Sequence, residues 1–131
     1  MSIHILVKTS IVVATVLLVG CSEKVRFDTN VMPILEASCV NCHSEDGEGA
    51  VKVELYLDGF DNVMKGTKYG PVVTPGKSYA STLYLVIAHK VAPEIQMPPH
   101  HHERYPIGAG EPLSEEEIKT IETWIDQGAY R

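Results

Sequence analysis

The sequence predicts a small all-α domain with room for at most one short strand or hairpin in its middle, and three observations carry that prediction. An amphipathic helix with complete start and stop signals lies near the C-terminus, and an apolar stripe at helical spacing leads into a pair of cysteines. Only one stretch, around residue 55, alternates as a strand would.

The chain has 131 residues with 17 Asp and Glu against 11 Lys and Arg, a net charge of -6. One domain is expected at this length, and so acidic a balance excludes the clustered basic footprint that nucleic-acid binding requires. An acidic surface instead favours a basic docking partner.

Residues 11–20 read IVVATVLLVG, uncharged, after Lys8 and directly before Cys21. The run is too short to span a bilayer but fits a secretory h-region, so residues 1–20 read as a signal peptide rather than a fold element. Leu18-Val19-Gly20-Cys21 resembles the lipobox of bacterial lipoproteins, which implies lipid modification of Cys21 and anchoring on the periplasmic side of a membrane. Ser22 resembles the sorting pattern that favours the outer membrane. Residues 21–26 then form a short tether, and 27–131 the domain.

Phe27 to Ser38 reads as a short helix, with Thr29 or Asn30 as N-cap, Pro33 in the first turn, and Val31, Ile34 and Leu35 as a core stripe. It delivers Cys39-Val40-Asn41-Cys42-His43, the c-type haem attachment pattern, and the signal peptide sends the chain to a compartment where haem is attached. Two thiols at this spacing can add to the two vinyl groups on one haem edge, which leaves His43 as proximal iron ligand. A thioredoxin-like dithiol would want a βαβ context, and a zinc site a second cysteine pair; neither is present in the sequence.

Val51, Val53, Leu55 and Leu57 alternate with Lys52, Glu54 and Tyr56 and predict a short half-buried strand ending at Asp58-Gly59. A loop rich in glycine and proline follows to Pro75-Gly76. Ser78 or Ser81 can then cap a helix carrying Leu83, Leu85, Val86 and Ile87, with His89 beside Lys90 at its rim.

Met97, in Gln96-Met97-Pro98-Pro99, is the candidate sixth ligand, presented by a loop that consecutive prolines stiffen. Thioether ligation favours ferrous iron and raises the potential relative to two histidines. His100, His101 and His102 are its rivals: His100 is the alternative sixth ligand, and the cluster also fits an exposed, acid-titrating loop. Met32 and Met64 read as core. Lys65, Lys68, Tyr69 and Trp124 are candidate haem neighbours by residue type, and the Gly70-Pro71 turn is a candidate acceptor for the His43 ring N–H.

The last element opens with a capping box, Ser114 at the N-cap and Glu117 at N3, with Leu113 stapled onto Ile118. Its apolar face is Ile118, Ile121, Trp124 and Ile125, and Gly128 stands at the C′ stop. Glu115 to Glu117 favour the helix N-terminus for local electrostatic reasons.

Taken in order, Phe27 with Val31-x-Pro33-Ile34-Leu35, Cys39-x-x-Cys42-His43, Leu55-x-Leu57-Asp58, Gly70-Pro71-Val72-Val73-x-Pro75-Gly76, Ser81-x-Leu83, Met97-Pro98-Pro99 and the pattern from Leu113 to Ala129 resemble the planctomycete-type cytochrome c domain. The resemblance implies a small cytochrome c-like fold, N- and C-terminal helices packed around one covalent haem c, with His43 proximal and Met97 distal. The sequence departs from the family pattern in its three histidines and in the longer loop from His100 to Pro112. The expected role is a membrane-tethered single-electron carrier working between redox proteins, not itself an enzyme. A haem-based gas sensor or small-ligand haem enzyme with a displaceable sixth ligand is the alternative, and a haem-free lipoprotein adaptor ranks last.

Overall fold

The computed structural model describes residues 23–99 and 111–131. The expected signal peptide at residues 1–20 and the expected lipidation site Cys21 lie outside the described residues, as do His100, His101 and His102. Among the described residues every regular element is helical: α1 (Met32–Ser38), α2 (Glu48–Val53), α3 (Phe60–Lys65), α4 (Thr82–Ile87) and α5 (Glu115–Asp126), with short 3-10 turns at Ser78–Ala80 and Pro93–Ile95.

A wide π turn, Phe27–Val31, runs directly into α1, so helical backbone begins earlier than the sequence signals place it. Neither Thr29 nor Asn30 is the N-cap. Arg26 holds that position, and the Asn30 carboxamide oxygen accepts from the Arg26 amide at 2.8 Å. Pro33 lacks an N–H and its ring crowds the carbonyl four residues back; the wider turn places that strain-prone residue at the start of α1. Val31 and Leu35 are buried and Ile34 half-buried, as the stripe requires.

The expected strand is absent among the described residues. Residues 51–53 finish α2, where Glu48 in the first turn and Lys52 in the last suit the helix dipole, and Glu54 ends the helix at φ 56°. The alternation survives only as an extended run in which Leu57 is buried and Leu55 half-buried, and this run pairs with His43 rather than with a neighbouring strand.

α5 starts and stops as its sequence dictates: Ser114 accepts from the Glu117 amide, Glu117 accepts from the Ser114 amide at 2.8 Å, and Gly128 follows at φ 109°. Ile121, Trp124 and Ile125 are fully buried against Phe27, Val31 and Leu35, with Leu113 and Ile118 packed on the same core. Phe27 contacts Trp124 at 5.4 Å and Phe60 at 5.3 Å between ring centroids. Trp124 is therefore committed to the core, and its indole N–H donates to the Tyr130 carbonyl at 2.7 Å.

The glycine- and proline-rich loop is tied to the end of α5. Gly76 donates its amide to the Ile125 carbonyl, and Ser78 donates its own to the Asp126 carboxylate. Ser81 occupies the N-cap of α4, but its buried hydroxyl accepts from Thr74 and donates to the Lys77 carbonyl, so it locks the preceding loop instead of capping the helix. Tyr84 donates to Glu122 and joins α4 to α5. His89 lies beyond α4, at φ 54°, rather than on it.

Candidate functional site

Cys39, Cys42 and His43 are brought together by the turn that ends α1. Cys39 is the C-cap residue, its amide bonded to the Leu35 carbonyl, and its own carbonyl accepts from Cys42 at 3.1 Å and His43 at 2.9 Å. That single helical turn places both thiols and the imidazole within five consecutive residues. The two cysteines are not joined in a disulfide. Burial pushes the Cys39 thiol up to about 11, helped by the charges of Cys42 and Glu117, so Cys39 rests as a protonated thiol.

His43 is fixed from both sides by one extended segment. Its ring Nδ1 lies 3.1 Å from the Leu55 carbonyl oxygen, while its backbone carbonyl accepts from the Leu57 amide at 2.8 Å. With Nδ1–H donating to Leu55, Nε2 keeps its lone pair for a metal. Burial lowers the His43 pKa, with the Leu55 hydrogen bond opposing, and the neutral imidazole is the form that ligates. The acceptor is thus Leu55 and not the Gly70-Pro71 turn, whose Gly70 carbonyl is taken by the Thr67 amide and hydroxyl.

Two glycines that the sequence reading passed over make room for this arrangement. A Cβ on Gly49 would stand 3.0 Å from both Cε1 and Nε2 of His43 and 2.8 Å from the Cys42 carbonyl oxygen, and one on Gly47 would collide with that carbonyl. The Cys42 carbonyl also accepts from the Ala50 amide at 3.1 Å, which draws the start of α2 onto the cysteine turn. The clue in the sequence was Gly47-Glu48-Gly49-Ala50 directly after the motif: residues of minimal bulk where two backbones meet. Gly49 thus lets the start of α2 approach the Nε2 edge of His43 closely, where any side chain would press on the ring.

Met97 is half-buried, packed on the same hydrophobic core as Cys39, and its amide donates to the Val86 carbonyl at 3.1 Å. Pro98 behind it is buried. Lys65, Lys68 and Tyr69 lie at the surface, Tyr69 80% exposed, although Lys68 bonds the Val53 carbonyl through its amide and so keeps this loop at the end of α2. Among the described residues no cluster of three or more His, Cys, Asp or Glu is arranged to hold a bare metal ion. Cys39 and Met97 both pack on the hydrophobic core, and Cys42 and His43 follow Cys39 in the same turn.

Residues 39–101 match the planctomycete cytochrome C family. Among solved structures, Kuenenia stuttgartiensis hydrazine synthase is similar at 21% identity and a TM-score of 0.50, over 80% of this chain and 16% of that one. That likeness is one of fold, and the chain spans a small part of the larger protein. No curated protein matches.

Proposed function

We propose, from a chain whose residues 39–101 match the planctomycete cytochrome C family, that this protein is a mono-haem carrier of single electrons, tethered on the periplasmic side of a membrane. The observation that carries the reading is His43, whose Nδ1 is held by the Leu55 carbonyl so that Nε2 keeps its lone pair, with Gly49 putting no side chain against that edge.

Haem c, when bound, supplies a one-electron iron couple. Cys39 and Cys42 are the residues that would hold it covalently, and His43 and Met97 would ligate the iron. Leu55 orients the proximal ring, fixes the tautomer and strengthens the basicity of Nε2. Val86, by binding the Met97 amide, and the buried Pro98 position the thioether side. Cys39 and Met97 pack on the core that contains Phe27, Leu35, Ile121 and Trp124, which backs two of the four proposed donors.

The lipobox-like Leu18 to Cys21 supports the anchor, and the preceding apolar run supports export. Among the described residues no helix is long and apolar enough to cross a membrane. The acidic chain suits redox partners with basic docking surfaces.

The test is an optical spectrum of a Cys21→Ser form co-expressed with a haem c maturation system, ferric, ferrous and after carbon monoxide. A covalent haem with a low-spin ferric spectrum, the weak near-infrared band of iron–thioether ligation and no response to carbon monoxide is expected. A high-spin or carbon monoxide-reactive haem would favour the sensor or small-ligand enzyme, and absence of haem would overturn both.

A further inference from the structure

The residues that follow the proposed acylation site are bonded to the body of the domain from the first one described. Gln127 clamps them: its side-chain oxygen accepts from the Val25 amide at 2.7 Å and its side-chain nitrogen donates to the Glu23 carbonyl at 3.2 Å. The Phe27 amide then donates to the Tyr130 carbonyl, the same oxygen that holds the Trp124 indole. Lys24 stacks over the Tyr130 ring at 3.8 Å, and Arg131 pairs with Asp28 at 3.4 Å.

Two peptide steps separate Cys21 from Glu23, a reach of at most about 7 Å. An acyl chain on Cys21 is therefore coupled to the clamp with almost no slack. The clamped end gathers Lys24, Arg26 and Arg131 against Glu23 and Asp28, in a chain of net charge -6, and Tyr130 lies 53% exposed among them. Asp126, the last residue of α5, is turned to the Ser78 amide. Three basic against two acidic side chains leave this end a small positive excess around an exposed tyrosine, residue types suited to the headgroup region of an anionic bilayer.

The helical run from Phe27 to Ser38 begins at this clamp and ends at Cys39, twelve residues or about 18 Å away. α5 runs back the other way, from Glu117 on the Cys39 side to Gln127 in the clamp. The cysteine turn and the clamp thus occupy opposite ends of the two packed helices.

Resting on the lipid-anchor reading, we infer that the face formed by residues 23–27 and 127–131 lies flat on an anionic membrane surface and holds the Cys39–His43 end away from it. The anchor then orients the domain as well as retaining it. Electron exchange is directed to partners that rise from the membrane or approach from the aqueous side.

The full, lipidated, haem-loaded protein would be reconstituted in vesicles of phosphatidylethanolamine and phosphatidylglycerol, beside a variant with a ten-residue Gly-Ser spacer inserted between Ser22 and Glu23. Both are labelled with a membrane-impermeant amine reagent and read by peptide mass spectrometry. Lys24 should label about fivefold less in the parent than in the spacer form, while Lys52 and Lys65 label alike in both. Equal labelling of Lys24 in the two forms, with Cys21 acylated, would overturn the orientation and leave the anchor standing. An unacylated Cys21 in the intact mass would remove the anchor and the orientation with it.

Discussion

Nδ1 of His43 stands 3.1 Å from the carbonyl oxygen of Leu55, and this one contact decides which nitrogen of the ring is left for a metal. Because the acceptor is a backbone group on a segment that also bonds the His43 carbonyl through Leu57, no side-chain substitution at Leu55 removes it. The arrangement is reached instead through the space around it.

Gly49→Val should therefore damage the site more than the fold's average position. Its Cβ would press on the Nε2 edge of His43 and on the Cys42 carbonyl, and overpacking of this kind costs about 1–3 kcal/mol. The expected outcome is loss of covalent haem, read as the ratio of Soret to protein absorbance, with Val51→Ala, 71% exposed in the same helix, leaving that ratio unchanged. Normal haem content in Gly49→Val would show that a glycine against His43 is not needed.

Met97→Ala should leave haem attached through Cys39 and Cys42 but open the sixth position, lower the potential and admit carbon monoxide to the ferrous form. Potentiometry and carbon monoxide difference spectra check this. An unchanged ferric spectrum and potential would pass the ligand role to another residue, His100 first.

In the haem-free protein Cys39 should be a sluggish nucleophile. Its thiol is raised from 9.0 to about 11, so at pH 8 its thiolate population falls by roughly 100-fold and alkylation by iodoacetamide slows accordingly. The rate should climb with pH well past the point where an ordinary cysteine levels off. A plateau near pH 9 would contradict the burial of the thiol.

The haem-free fold should also lose stability in mild acid through His43. Its folded pKa lies below the ordinary 6.5, so the unfolded chain binds the extra proton first. The stabilising contribution is complete above pH 6.5 and declines as pH falls through that value toward the folded pKa. His43→Gln should flatten this part of the curve in denaturant titrations between pH 7 and 5; an identical decline in the variant would place the titration elsewhere.

Local signals sufficed wherever a residue's effect is felt within a turn or two of chain. The capping box at Ser114 and Glu117, the stop at Gly128, the buried faces of α1 and α5 and the clustering of Cys39, Cys42 and His43 follow from hydrogen bonds and apolar spacing inside single segments. The family match over residues 39–101 agrees with the resemblance those motifs carry. What the sequence could not decide were contacts between segments. Period-two hydrophobicity at Leu55 and Leu57 marks extended chain, but whether its backbone groups meet a strand or a histidine depends on what packs beside them, and here it is His43. Gly47 and Gly49 carry no side-chain signal at all; their meaning appears only when the Cys42 carbonyl and the His43 ring arrive against them. The clamp of Gln127 on Glu23 and Val25 joins residues about a hundred positions apart, a distance over which sequence periodicity carries no information and only the antiparallel packing of two helices does.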